Sequence, residues 1–272
     1  MKDVTFGQYY PAKSFVHKMD ARVKILLIIA YIVAVFMVKS FEFTGFAVCL
    51  AFVVVATAFA RIPFTKVLSS IKGIIFIIIF SAVLQIFLNK SGTPLWENGF
   101  ITDQGLLNAG FIVCRIILMV MGASILTFTT TPVEIADGIE SLLSPLKLIK
   151  FPVREFALIM SIALRFIPTL LQETDRIIKA QKARGADFES GNIFKRVKAL
   201  IPVLVPLLIS SFRRADELAD AMDARCYSGG KNRTKFKKQV VTYRDFIGLI
   251  VVVLLFCGII TFNGLGFVGA LL

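Results

Sequence analysis

The segment Phe43–Ala60, FTGFAVCLAFVVVATAFA, contains neither a charge nor a proline. A bilayer's hydrocarbon core of about 30 Å takes about 20 mostly apolar helical residues to cross, so a run of this kind reads as a membrane span. Four further runs resemble it: 25–38 (ILLIIAYIVAVFMV), 73–88 (GIIFIIIFSAVLQIFL), 106–128 and 246–262 (FIGLIVVVLLFCGIITF). The chain is 57% hydrophobic, above the roughly 45–50% of soluble domains. The expected fold is all-α, a polytopic membrane protein with about five transmembrane helices. The run 25–38 is short, so Lys24 and Lys39 are expected to snorkel to the interface, or the span to extend through Phe41 and Phe43. The first ten residues lack the apolar core of a cleavable signal, so the first run is expected to be retained. Trp96, in a loop of turn-forming residues, is placed as an interfacial anchor.

Charge supplies the orientation. The net charge is +13, which in a soluble chain would suggest nucleic acid. Here its distribution favours the positive-inside rule. Lys2, Lys13, Lys18, Arg22 and Lys24 precede the first span, Arg61, Lys66 and Lys72 lie between the second and third, and most other Lys and Arg fall in 129–244. The opposite side holds Lys39 and Lys90 against Glu42, Glu97 and Asp103. The amino terminus and 129–243 are therefore expected in the cytoplasm and the carboxyl terminus outside. The expected divisions are 1–128 (amino-terminal segment and four spans), 129–243 (a helical cytoplasmic region inserted before the last span) and 244–272 (last span and tail). The basic run 231–244 is expected to fix topology and touch anionic lipid rather than nucleic acid.

Little else offers chemistry. Cys49, Cys114, Cys226 and Cys257 form no CxxC pair, and His17 is the single histidine, so neither a metal site nor a cofactor is expected. Glu134, Asp137 and Glu140 share one short helix and read as a solvated face. Arg115 lies inside the fourth span. An intramembrane charge is expected to face the bundle interior and hold spans together through a carbonyl or carboxylate; substrate contact is the rival reading.

Two strings in 129–243 repeat one plan. In TTTPVEI, Thr131 can cap a helix, Pro132 suits its first position and Glu134 completes a capping box. A long helix then runs from Arg154 toward Gly185. Phe156, Ile159, Ala163, Phe166, Leu170, Ile177 and Ala180 fall near a 3.6-residue period, Pro168 is expected to kink it, and Gly185 suits the residue beyond its end. A second long helix, apolar around Pro202 and Pro206, ends before Ser228-Gly229-Gly230. Each ends in an A-x-x-A-R-[GC] string: Ala183-Arg184-Gly185 in the first, Ala224-Arg225-Cys226 in the second. A single arginine in a last turn is usually a solvated cap. A matched pair favours function, because a five-donor fork can grip carboxylates or carbonyls in a partner's groove.

These residues resemble the transmembrane T component of energy-coupling factor (ECF) transporters, a branch of the ABC transporters. GQYYPAKSFVHKMDARVK is similar to that family's G-x-Y-x…S-x-x-H-x-L-D-P-R-x-K segment, departing at Met19 and Ala21, where Leu and Pro are usual. TTTPVEI resembles its T-T-x-P-x-E-[IL] element and LRFIPTL its R-F-I-P element. Ala183-Arg184-Gly185 and Ala224-Arg225-Cys226 match its two X-R-X coupling motifs, Cys226 standing where Gly is usual. The resemblance implies a non-catalytic subunit in a prokaryotic plasma membrane. Its partners would be two ABC ATPase subunits (EcfA- and EcfA′-like) and a substrate-capturing S component for a vitamin or metal ion, with Arg184 and Arg225 docking in the ATPases. The apolar halves of the two helices would then offer the S component a platform.

Two alternatives come from other classes. An integral-membrane enzyme acting on lipid or prenyl phosphates could use the arginines as clamps, but no metal set, nucleophile–base pair, Gly-rich phosphate loop or Walker motif accompanies them. A standalone secondary carrier would show repeated spans and a broken midplane helix.

Overall fold

A computed structural model of the chain describes residues 9–12, 14–38, 43–88, 102–145, 152–188, 193–227 and 242–265. Trp96, Lys39 and most of the basic run 231–244 lie outside them. Within them the chain forms nine helices and no strand: α1 Ala21–Met37, α2 Phe43–Ala60, α3 Phe64–Lys72, α4 Ile75–Leu88, α5 Asp103–Thr129, α6 Pro132–Leu142, α7 Val153–Ala183, α8 Ile193–Ala224 and α9 Tyr243–Leu265. Contacts divide the described residues into two compact units, one within 143–238 and the other within 7–142 and 239–272.

The second unit is a helical bundle with α5 at its centre, packed on α1, α2, α3 and α4, while α9 packs on α1 and α2. Each helix starts for a local reason. Thr102 caps α5 by accepting from the Gly105 N–H at 3.2 Å, and Asp20 caps α1 by accepting from the Arg22 N–H at 3.0 Å, each satisfying a donor the helix start leaves open. The Thr131–Glu134 capping box is formed, with the Thr131 N–H on Glu134 Oε2 at 3.1 Å and the Glu134 N–H on Thr131 Oγ1 at 3.3 Å. Glu134 is thus part of a helix start, not of a solvated acidic face. The contact division places α6 with the bundle, where it packs on α1.

Tyr31 marks the centre of the core. It is buried, stacks on Phe52 at 5.2 Å between ring centroids and donates its hydroxyl to the Leu118 carbonyl at 3.1 Å. Gly122 makes the room: a Cβ there would lie 2.2 Å from Tyr31 Cε1.

Among the described residues three helices are long and apolar enough to cross a membrane: α5, α7 over Glu155–Ala183, and α9 over Tyr243–Thr261. The pair α3–α4, bent by 62°, makes a fourth if counted as one broken span, and α2 is a shorter apolar helix. The third run, 73–88, is α4, and the bend falls at its start, between α3 and α4. The helix α7 stands among the candidates, although 129–243 is expected in the cytoplasm, because Arg165 is the only charge between Glu155 and Glu173.

In the other unit α7 and α8 pack on each other. Both remain continuous helices through Pro168, Pro202 and Pro206. Arg214 bridges to Glu173 at 3.3 Å, and Gln181 Nε2 meets the Pro202 carbonyl at 3.5 Å. Moving up α7 from Glu173 to Gln181 moves down α8 from Arg214 to Pro202, so the two helices run in opposite directions. The periodic stripe on α7 is not a buried one: Phe156, Ile159 and Ala163 are exposed.

Candidate functional site

The two A-R-[GC] strings take the same backbone shape. At the end of α7, Arg184 is the C-cap residue (φ −87, ψ 7) and Gly185 is left-handed at φ +88. The Gly185 N–H bonds to the Lys182 carbonyl at 3.0 Å and the Ala186 N–H to the Gln181 carbonyl at 3.0 Å. At the end of α8, Cys226 is left-handed at φ +56. The Cys226 N–H bonds to the Asp223 carbonyl at 2.8 Å and the Tyr227 N–H to the Met222 carbonyl at 3.0 Å. Both are Schellman caps, in which the N–H of the first residue beyond the cap bonds to the carbonyl three positions back and the N–H of the second to the carbonyl five positions back. In each, alanine is the last helical residue, arginine the cap and Gly or Cys the left-handed residue.

The A-R-[GC] pattern thus has a structural cause at two of its three positions. Alanine suits the helix end, and the third residue must turn left-handed. What the cap leaves unexplained is the arginine, whose side chain is exposed in both cases. Arg184 and Arg225 are not brought together. Gln181 neighbours Pro202; about 23 helical residues at about 1.5 Å each carry α8 from there to Arg225, and three more carry α7 the other way to Arg184, so the tips are at opposite ends of the pair, roughly 35–40 Å apart along its length. The apolar face of α8 is bare over Phe194, Val197, Ile201, Leu204, Leu208 and Phe212.

Arg115, on α5, donates from Nη2 to the Val38 carbonyl at 2.8 Å. Val38 is the C-cap of α1, so the guanidinium sits where the helix end carries partial negative charge. Its Nε is buried without a partner among the described residues.

A polar cluster in the bundle has no counterpart in the residue-by-residue reading. Lys24 is buried, not snorkelling. Its Nζ donates to the carbonyls of His17 (3.2 Å) and Thr129 (3.1 Å) and to Thr130 Oγ1 (3.3 Å), which occupies all three ammonium donors. His17 bonds through Nε2 to the Tyr10 carbonyl at 2.9 Å and through Nδ1 to Ser14 Oγ at 2.7 Å, and the Tyr10 N–H reaches the Phe128 carbonyl at 2.9 Å. Burial pushes the His17 ring below its ordinary 6.5, and Lys24 adds to the shift while the Tyr10 carbonyl opposes it. Asp245, buried at the start of α9, accepts from the Asp20 N–H at 2.9 Å and the Thr242 N–H at 2.7 Å. Residues 9–20 are thereby tied to the end of α5 and the start of α9. The departures from the family segment sit comfortably here: Met19 is buried, and Ala21 opens α1 because Asp20 already caps it. The signal available in the sequence was an Asp before an apolar run and a lone His beside a Lys.

Among the described residues no group of His, Cys, Asp and Glu could hold a metal ion. The chain matches the CbiQ family model, described as a cobalt transport protein, over residues 12–236. It is 47% identical over 260 residues to the energy-coupling factor transporter transmembrane protein EcfT of Clostridium kluyveri, covering 94% of this chain and 96% of that one. It is 48% identical over 249 residues to the protein of the same name in Ruminiclostridium cellulolyticum (91% and 92% covered) and 44% over 247 residues to that of Bacillus subtilis (90% and 92%). These likenesses run through the bundle and the capped helices alike, and they make the chain a member of the CbiQ/EcfT family, the membrane-embedded T components of energy-coupling factor transporters.

Proposed function

We propose that the chain couples ATP hydrolysis, carried out by two partner ATPases, to uptake of a vitamin or metal ion through an S component. The observation that carries this reading is the pair of matched caps. Two exposed arginines are each held at the end of a stiff helix more than 30 residues long, on caps of the same type at opposite ends of an antiparallel pair. A guanidinium on a rigid frame presents its fork in a fixed direction, which suits a groove lined with carboxylates or carbonyls. Two separated tips suit two separate sockets, and ATPase closure would then move the tips relative to each other. Residues 183–185 and 224–226 are the coupling contacts in this reading. The bare apolar faces of α7 and α8 are the platform for the S component.

The same reading puts the amino terminus and the coupling helices on the cytoplasmic side of a prokaryotic plasma membrane and the carboxyl terminus outside. It treats 129–243 as the coupling region between the bundle segments 1–128 and 244–272. It assigns Arg115 a structural role at the end of α1. The chain hydrolyses nothing itself.

The test is the double variant Arg184→Glu with Arg225→Glu. Loss of ATPase co-purification and of transport, with the chain still folded in the membrane, is the expected result. Retention of both would refute the coupling role. Two nucleotide-binding subunits in the purified complex separate this reading from a lipid-phosphate enzyme or a standalone carrier, which would bring none.

A further inference from the structure

The bundle contains an apolar crevice of about 320 Å³ between α1, α2, α5 and α9, at the lower end of the roughly 300–1,000 Å³ of ligand pockets. Met19, Tyr31, Phe52, Phe59, Leu126 and Val251 are among its lining residues. It lies where α1 and α9 begin and α2 and α5 end, on the side of the polar cluster. From Lys24 to Tyr31, both in its wall, is about 10 Å at about 1.5 Å per residue, less than the roughly 15 Å of one leaflet's hydrocarbon. A crevice of that depth fits within a single leaflet, with its Lys24 end toward the starts of α1 and α9. It is open to the surroundings through Val55, Phe59, Ile247 and Val251, all of them exposed.

What can occupy it is limited by its chemistry. Lys24 is the one charged residue in the lining, and its three donors are already committed to His17, Thr129 and Thr130. A polar head cannot be satisfied inside. At the Lys24 end, Arg244 lies 5.8 Å from the centroid of the Phe15 ring, itself a lining residue. Arg244 uses Nε on the Tyr243 hydroxyl at 3.2 Å, while no described contact engages its Nη atoms. An apolar slot about 10 Å deep with a guanidinium edge at its mouth matches part of a hydrocarbon tail below an anionic head. A guanidinium recognises phosphate through paired N–H donors.

We propose that this crevice binds one anionic phospholipid, an acyl chain seated along Tyr31, Phe52 and Val251 and the phosphate held by Arg244. The site is independent of the coupling contacts of Arg184 and Arg225.

The experiment uses the full chain purified from membranes with its co-purifying subunits, exchanged into detergent and supplied with phosphatidylglycerol or phosphatidylcholine. Native mass spectrometry reads the lipid retained. The wild type should keep one phosphatidylglycerol, preferred several-fold over phosphatidylcholine, whose choline ammonium offsets the phosphate charge that Arg244 reads. Arg244→Gln, at the surface, should bring the two lipids to parity. Val251→Trp and, separately, Val55→Trp, which fill the mouth from exposed positions, should lose both. Equal retention of the two lipids by the wild type, or full retention by both tryptophan variants, would overturn the proposal. So would a Val251→Cys cross-link to a co-purifying subunit in the absence of bound lipid, which would make the occupant a protein segment.

Discussion

The left-handed residue beyond each of the two long helices, α7 and α8, allows a quantitative comparison. Gly185 has φ +88 and Cys226 φ +56. For an L-residue with a Cβ the left-handed conformation costs about 1–2 kcal/mol. Glycine avoids that cost but loses more chain entropy on folding, about 0.4–1 kcal/mol. At Gly185 a Cβ would meet nothing within 4 Å, so Gly185→Ala carries the backbone term alone. The net is a loss of about 0.5–1 kcal/mol in the α7 cap. The converse, Cys226→Gly, should strengthen the α8 cap by a similar amount. The effect is local, so the assay is hydrogen exchange of the cap amides: Gly185 and Ala186 at one end, Cys226 and Tyr227 at the other, whose N–H groups close the two motifs. Cys226→Gly should slow exchange at Tyr227 by about two- to five-fold, and Gly185→Ala should speed it at Ala186 by the same factor, following RT ln of the ratio. Unchanged exchange in both, or opposite signs, would show that the left-handed turn is not what the third position of A-R-[GC] is for.

Other predictions follow from the bundle. Gly122→Ala places a Cβ against the Tyr31 ring and should cost about 2–4 kcal/mol by displacing the ring and its hydrogen bond, against about 1 kcal/mol for Tyr31→Phe; thermal unfolding of the purified complex ranks the two. Lys24→Met removes the donor for the His17 and Thr129 carbonyls and should cost about 2–3 kcal/mol, read as reduced yield of folded chain and faster exchange at the Tyr10 amide. Because burial lowers the His17 pKa below 6.5, the unfolded segment binds the proton more readily than the folded one. The stabilisation is complete above pH 6.5 and is lost as pH falls through the folded value. Protection of the Tyr10 N–H should therefore fall between pH 7.5 and pH 5.5, and His17→Gln should flatten that dependence.

The apolar runs were legible because lipid imposes one requirement along a whole segment. The run 43–60 coincides with α2, and the capping box at Thr131 and Glu134 could be read from three residues. The left-handed Gly185 was legible for the same local reason. Tertiary terms hid the rest. Lys24 flanks an apolar run and so reads as a snorkelling residue, but carbonyls from His17 and Thr129 reach it first, and only long-range packing brings Thr129 alongside. The outward face of Phe156 and Ile159 was equally hidden, since a 3.6-residue period says which residues share a face and not whether anything covers it. The bend between α3 and α4 falls at Gly73-Ile74, the start of the apolar run, where the lysine-bearing 64–72 gives way to an uncharged stretch.

One consequence of the α8 cap concerns reactivity. The residue following Arg225 is a thiol, exposed at the helix tip, while Cys49 is buried, Cys114 half-buried and Cys257 lies on the apolar helix α9. A water-soluble, membrane-impermeant maleimide therefore has one favoured target, set a single residue from the guanidinium of interest. The native chain carries its own reporter: the rate of alkylation at Cys226 measures, without any substitution, how often that end of α8 is open to solvent.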